Sequence, residues 1–222
     1  MRKVQFANWE YYHIYNRGVD KRTIFQDESD FMRFYLSLIL LNSDKDGLME
    51  DWRDFQRWHP RAQLSEFMKQ CQKGEKIVSI VAYCLNLNHY HLLLKQKKED
   101  GIKRFMHKVN TSYTNYFNVK NSRSGSLFQG RFKASHIRST GKLLFMSVYV
   151  SCNNEIHGIS PARSYPWSSF NEYVSENSKS RLCDGKKVIT ENFRDAGDFK
   201  DFAKENIKLA KEKKEDGKLI LE

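Results

Sequence analysis

The stretch YCLNLNHYHLLLK, from Tyr83 to Lys95, carries the strongest fold signal in the chain. Side chains at positions i and i+2 of a β-strand point to the same face, so His89 and His91 project together and Tyr90 projects to the opposite face. The apolar, β-branched run IVSIVAYC at 77–84 lies just before them. The two runs therefore predict adjacent antiparallel strands, joined by a turn around residues 86–88.

Two imidazoles on one strand face could be half of a metal site, since neutral histidine is a common metal ligand. Ordinary packing is the more common explanation of such a pair, so the pair alone does not indicate a metal site. A helix predicted at 140–157 adds a second candidate group, because Tyr149 and Asn153 lie four residues apart and share one face.

The charge distribution indicates a polyanionic partner, most simply nucleic acid. The chain of 222 residues has a formal net charge of +11, and residues 101–140 contain no Asp or Glu. The absence of a counter-charge in this segment favours phosphate contact by its basic residues. These are Lys103, Arg104, Lys108, Lys120, Arg123, Arg131, Lys133 and Arg138.

The same segment predicts a long helix at 100–119, a basic Gly/Ser-rich loop at 121–131 and a strand at 132–139. Small residues in the loop would allow close approach to a sugar-phosphate backbone. Upstream, residues 11–18 predict a first strand that carries His13, whose role stays open between core, ligand-adjacent and DNA-contacting. Residues 27–42 predict an amphipathic helix.

The remaining segments set the predicted domain organisation. Residues 43–75 are polar and charged and are interpreted as an insertion in a catalytic domain at 1–175. Residues 176–222 are interpreted as a C-terminal helical extension, whose thinly apolar helix at about 192–215 is expected to be peripheral. The four cysteines form no CxxC pair, and no apolar run approaches the length of a membrane span. We therefore expect a cytoplasmic protein with no membrane partner.

These candidate residues can be assembled into one chemical hypothesis. His89, His91 and Asn153 would surround a divalent cation and leave positions open for water and a phosphate oxygen. Tyr149 would attack the phosphate, and its phenol, with an ordinary pKa of about 10, would need activation. A covalent phosphotyrosine stores the energy of the broken bond, which favours strand transfer over simple hydrolysis.

Five segments in order give the chain a resemblance to a known family. They are YHIYNRG, YCLNLNHYHLLL, SGSLFQGRFKASHI, YVSCNNEIHG and YPWSSF, within about residues 11–173. The chain resembles the REP-associated tyrosine transposases, of the IS200-like, single-tyrosine HUH group. That resemblance implies an α+β fold, with a ferredoxin-like antiparallel sheet and helices packed on it. One departure is Asn154, where the family usually has proline, and it puts the end of the tyrosine helix in question.

The resemblance also implies a site and a substrate. Tyr149 maps onto the nucleophile, and His89, His91 and Asn153 map onto the residues that bind Mg²⁺ or Mn²⁺. The implied substrate is single-stranded DNA with an imperfect hairpin, cleaved to a 5′-phosphotyrosine and a free 3′-OH. Both monomers and homodimers are consistent with it. The nucleic-acid-binding candidates are Arg17, Lys103, Arg104, Lys108, Arg123, Arg131, Lys133 and Arg138.

Three alternatives remain open from the sequence. The chain could bind DNA hairpins without cutting them. It could be a metal-dependent hydrolase that uses His89 and His91 with a water nucleophile, in which case no covalent intermediate forms. In the third, the histidines are packed residues with no metal, and Tyr149 does not approach them.

Overall fold

Four antiparallel strands form the centre of the computed structural model, which describes residues 4–72, 74–175 and 182–216. The strands are β1 (Tyr11–Arg17), β2 (Val78–Asn86), β3 (His89–Gln96) and β4 (Lys133–Ile137). Their spatial order is β2-β3-β1-β4, and each neighbouring pair is antiparallel. With helices between β1 and β2 and between β3 and β4, the chain follows the β-α-β-β-α-β order of ferredoxin-like folds. The predicted α+β class is confirmed.

Helices cover both faces of the sheet. In the described residues they are α1 (Glu28–Leu40), α2 (Leu48–Trp58), α3 (Leu64–Gln70), α4 (Gly101–Lys120), α5 (Thr140–Ser151), α6 (Asn153–Ile156), α7 (Phe170–Val174), α8 (Lys187–Thr190) and α9 (Ala196–Glu215). Two short 3-10 turns, Val19–Lys21 and Ala162–Ser164, complete the helical segments. Parts of the predicted C-terminal extension, 176–181 and 217–222, lie outside the described residues.

The hairpin of β2 and β3 matches the one that the sequence predicts, with a turn of two residues. Asn86 pairs directly with His89 across the turn, and Cys84 pairs with His91. β3 also pairs with β1 on its other side, so it is a central strand. Tyr90 and alternate residues pack in the core under α1 and α4, whereas Leu93 packs in a second core with α5. The imidazoles therefore face α5.

The helix predicted at 140–157 is interrupted. α5 ends at Ser151, Cys152 leaves helical geometry at φ −111° and ψ 17°, and α6 begins at Asn153. Within α6, the side-chain amide of Asn154 donates to the carbonyl of Ser160, beyond the helix, at 2.8 Å. This hydrogen bond fixes the chain beyond the tyrosine helix at the position where the resembling transposases usually carry proline.

The polar insertion has a small core of its own. Leu48, Trp52 and Phe67, from α2 and α3, pack against Leu40 of α1. Its acidic residues also reach the basic segment, because Asp46 lies 2.6 Å from the ammonium of Lys108. Lys108 thus has a counter-charge that the composition of residues 101–140 alone does not reveal.

The C-terminal helix is part of the core, so the expectation of a peripheral helix is wrong. Phe199, Ala203, Ile207 and Ala210 of α9 are buried in the same cluster as Tyr149 of α5. Four apolar residues at helical spacing are enough to bury this face, even though the rest of α9 is charged.

A buried carboxylate links α1 to the end of α4. Asp30 has no exposed side-chain surface, and its oxygens accept hydrogen bonds from the Lys120 ammonium at 2.7 Å, the Tyr116 hydroxyl at 3.0 Å and the Gln26 backbone N–H at 2.8 Å. Asp27, the N-cap of α1, also lies 2.7 Å from Lys120. The lysine therefore balances charge at the junction of the two helices.

Lys120→Met should lower the free energy of unfolding by about 2 kcal/mol, because it leaves the Asp30 carboxylate buried with only neutral donors. Lys103→Met is the matched control, since Lys103 makes an ion pair of equal length with Asp100 at an exposed position. Its cost should be below about 1 kcal/mol. Urea unfolding measures the free energy of unfolding of both variants. Equal losses in the two would contradict a stabilising role for Lys120 at the buried carboxylate.

Candidate active site

Imidazole and amide groups meet where the hairpin approaches α6. The Nε2 atom of His89 lies 3.2 Å from the Oδ1 atom of Asn153. Two ligands that each lie about 2.1 Å from one cation, at a right angle, stand about 3 Å apart, so this separation fits a shared cation. The Asn86 amide nitrogen lies between them and donates to both, at 2.9 Å from His89 Nε2 and 2.6 Å from Asn153 Oδ1, so this amide must turn away when a cation binds.

The other nitrogen of each imidazole is engaged by a neighbour. His89 Nδ1 lies 2.6 Å from the Asn88 carboxamide oxygen, which can only accept, so Nδ1 carries the proton. His91 Nδ1 lies 2.8 Å from Nε2 of His13. A proton on His91 Nδ1 leaves both Nε2 atoms with a lone pair, which is the tautomer that metal-binding histidines use. His13 is thus adjacent to the candidate ligand His91, which corresponds to one of the three roles left open by the sequence.

His91 is held in its neutral form. Its side chain is buried, and this desolvation lowers the pKa well below the ordinary value of 6.5. The neighbouring His13, His89, His157 and Arg17 lower the pKa further. A neutral imidazole keeps the lone pair that coordination requires.

Tyr149 lies beside the histidines within the same chain. Its ring is edge-on to those of both His13 and His91, with 5.8 Å between ring centroids in each case. The side chain is fully buried on α5, in the core cluster that includes α9. The structure therefore brings together the four residues Tyr149, His89, His91 and Asn153.

A small cleft of about 40 Å³ opens on the two imidazoles. Arg17 and Lys133 line it together with Gln129, and no acidic residue is among its lining residues in the described chain. Arg17 is opposite His89 in the register of β1 and β3. The cleft suits an anionic group positioned against the imidazoles.

The other basic candidates lie away from this cleft. Lys103 and Arg131 line a separate groove beside α4. Lys108 is paired with Asp46. Arg104 is exposed on the surface of α4.

Two further basic candidates make local contacts. Arg123 donates to the Asn118 side chain at 2.6 Å and to the Ser126 carbonyl at 2.9 Å, and so shapes the loop after α4. Arg138 contacts the ring of His136 at 3.4 Å on the exposed side of β4. Neither contact involves the imidazole cleft.

Amide side chains complete the site, although the sequence pattern predicts for Asn86 and Asn88 only a place in a turn. The relevant signal is the length of that turn. A turn of two residues pairs Asn86 with His89 and so places its amide at the imidazole. His13 could be found in the same way once β1 is recognised as the neighbour of β3.

The donor set has two nitrogens and one amide oxygen. Among the described residues, no three His, Cys, Asp or Glu side chains are arranged to hold a metal ion, so the Asn153 oxygen would have to be the third ligand. Cys84 lies 3.5 Å from Asn86, but burial raises the pKa of its thiol to about 12. A protonated thiol does not compete as a ligand.

Comparison with protein families matches residues 53–153 to the family described as "Transposase IS200 like". The resemblance to the IS200-like transposases is confirmed. The match spans a little under half of the chain, and it includes His89, His91, Tyr149 and Asn153 of the candidate site. β1, with His13, lies outside the matched residues.

A solved structure of a REP-associated tyrosine transposase bound to a REP hairpin has a TM-score of 0.54 to this chain. The two are 15% identical, and the alignment covers 79% of this chain and 86% of that one. This likeness supports the fold. Comparison with curated proteins gives no match. Among the described residues, none of the helices has the length and apolar character to cross a bilayer.

The low pKa of His91 predicts a pH-dependent stability. The unfolded chain takes up this proton near pH 6.5, whereas the folded chain does so only at lower pH, so stability should fall as the pH drops below about 6.5. Urea midpoints between pH 8 and pH 5, measured in EDTA, should decrease, and His91→Gln should flatten the decrease. If the urea midpoint falls with pH equally in the parent and in His91→Gln, His91 is not the source of the pH dependence.

Proposed function

We propose that the protein is a metal-dependent, single-stranded DNA transferase that cleaves and rejoins DNA at hairpin sequences through a 5′-phosphotyrosine. The observation that carries the proposal is the meeting of Tyr149 with His91, and of His89 with Asn153, inside one chain. The family match supports a transposase, and the neighbour with a bound REP hairpin supports hairpin DNA as the ligand.

The proposed cation ligands are His89 Nε2, His91 Nε2 and Asn153 Oδ1. When bound there, a divalent cation would withdraw charge from a phosphate oxygen and so stabilise the transition state. Of Mg²⁺ and Mn²⁺, two imidazole ligands favour Mn²⁺, because Mg²⁺ prefers oxygen. Asn88 and His13 act indirectly, since they hold the imidazoles in the tautomer that presents Nε2.

The chain's own groups account for substrate placement and for the covalent step. Arg17 and Lys133 would hold the phosphate in the cleft. The Tyr149 oxygen bonds to phosphorus as its phenol proton is lost to water, since the lone pairs of His91 and His13 are taken up by the cation and by the hydrogen bond between the two rings. The bond from phosphorus to the 3′-oxygen breaks, and that oxygen takes up a proton. Attack by a free 3′-OH on the phosphotyrosine reverses these changes and rejoins a strand.

The catalytic unit in this proposal is one chain, because all four site residues come from the same polypeptide. A homodimer is then not needed to build the site, although two chains could still act on two DNA ends. The remaining basic candidates would act as contacts outside the cleft, with Lys103 and Arg131 the nearest to a continuous groove.

Tyr149→Phe should abolish a covalent adduct between the protein and a labelled hairpin oligonucleotide in Mn²⁺, as resolved on a denaturing gel, because only the phenol oxygen can form the bond. Tyr11→Phe, on the same face of the sheet as His13, is the control and should still form the adduct. An adduct that persists in Tyr149→Phe would rule out this nucleophile.

One observation favours a second candidate, a protein that binds hairpins without cutting them. Tyr149 has no exposed surface, so a phosphate can reach it only after the cleft opens. The same gel distinguishes the functions. Hairpin binding without an adduct or product supports the binding protein, and product without an adduct supports a hydrolase that uses water.

His13→Phe should weaken Mn²⁺ binding by about tenfold to 100-fold, because it removes the acceptor that orients His91. His136→Phe is the matched control, since His136 lies on β4 and contacts Glu10 outside the site. Calorimetric titration with Mn²⁺ measures both. If His13→Phe folds and binds Mn²⁺ as the control does, His13 does not position His91.

A further inference from the structure

The leaving 3′-oxygen of the proposed reaction needs a proton. As the bond from phosphorus to this oxygen breaks, negative charge develops on the oxygen, and a positioned acid that protonates it speeds such a step by about 100-fold to 10,000-fold. In an in-line displacement the leaving oxygen lies on the far side of phosphorus from the attacking oxygen. The acid must therefore lie on the side of the phosphate away from Tyr149.

The cleft at the imidazoles provides that side. Tyr149 contacts the rings of His13 and His91, but it is not among the described residues that line the cleft. A phosphate held at the imidazoles, with the phenol on one side, directs its leaving oxygen towards the cleft lining. The lining residues are Tyr15, Asn16, Arg17, His89, His91, Gln129 and Lys133.

Few of these lining groups can give up a proton and take it back. The carboxamides of Asn16 and Gln129 do not transfer protons, and the guanidinium of Arg17 stays protonated in proteins. The two imidazoles use their nitrogens for the cation and for the neighbours that orient them. The ammonium of Lys133 and the phenol of Tyr15 remain as proton donors.

The register of the sheet directs Lys133 to the imidazole face. Lys133 on β4 pairs with Tyr15 on β1, and Ser135 pairs with His13. Paired and alternate residues share a face, so Lys133 projects to the same side as His13. Its ammonium lies 5.6 Å from the centroid of the Tyr15 ring, which is nearly parallel to the ring of His91. The attraction between a cation and an aromatic face holds the ammonium at the cleft.

We propose that Lys133 is the general acid that protonates the leaving 3′-oxygen, and that the Tyr15 ring positions its ammonium. One N–H bond of the ammonium breaks as the O–H bond forms, which leaves a neutral amine. In the rejoining step this amine takes the proton from the attacking 3′-OH. Lys133 suits the role better than the neutral phenol, because its positive charge also stabilises the charge that develops on the oxygen.

No described residue of the cleft lining is acidic, so no carboxylate there neutralises the ammonium of Lys133. The inference rests on the proposed function, since it assumes cleavage through Tyr149.

A bridging sulfur atom separates proton transfer from charge stabilisation. The cleavage site is first mapped with the parent protein and an ordinary hairpin oligonucleotide in Mn²⁺, and sulfur then replaces the 3′-oxygen of that linkage. A thiolate leaves without a proton, so the acid is no longer required. With protein in saturating excess, Lys133→Met should slow adduct formation on the ordinary oligonucleotide by about 100-fold or more. On the sulfur substrate its rate should be close to that of the parent.

Arg17→Met is the matched control, because Arg17 is a second cation of the cleft that does not transfer its proton. Its loss of rate should persist on the sulfur substrate. If the loss in Lys133→Met also persists there, or if Lys133→Met cleaves the ordinary oligonucleotide as the parent does, the inference is overturned alone.

Tyr15→Phe tests the other donor, since it removes the phenol and keeps the ring. If sulfur restores cleavage to Tyr15→Phe and not to Lys133→Met, the proton comes from Tyr15 and the assignment to Lys133 is wrong. A parent that forms no adduct with any hairpin would overturn the proposed function as well.

Discussion

The central position of β3 constrains the whole molecule. The strand is hydrogen-bonded on both edges and buried on both faces, so each of its side chains has a fixed destination. His89 and His91 face α5 and α6, and Tyr90 between them faces α4. A slip of one residue in the register would exchange the two sets, place Tyr90 at the candidate cation site and put imidazoles in the apolar core. The burial of the sheet therefore specifies the geometry of the site.

Local patterns in the sequence were enough to place the β2–β3 hairpin and to group the candidate site residues in pairs. Alternation predicted the shared face of His89 and His91, and helical spacing predicted that of Tyr149 and Asn153. Partners from distant parts of the chain were not predictable from such patterns. His13 meets His91 across 78 positions, and the counter-charge of Lys108 comes from an insertion that has its own core. Both depend on strand order and loop placement, which periodicity does not encode.

The C-terminal helix shows a second limit of sequence patterns. The apolar positions of α9 were visible, but the surface that receives them was not. In the structure they pack with α5, so the helix that carries Tyr149 lies between the sheet and α9. A segment interpreted as an extension thus packs against α5 on the side away from the sheet and supports the helix that carries Tyr149. The matched family residues end at Asn153, before this support begins.

The placement of Tyr149 against imidazoles of its own chain has a consequence for stoichiometry. If this phenol is the attacking group, each polypeptide can hold one DNA end at a time. An excision that joins two flanks and circularises the intervening segment would need either two polypeptides working in parallel or one that discharges its first end before taking the next. Turnover would then depend on protein concentration in the first case and be independent of it in the second.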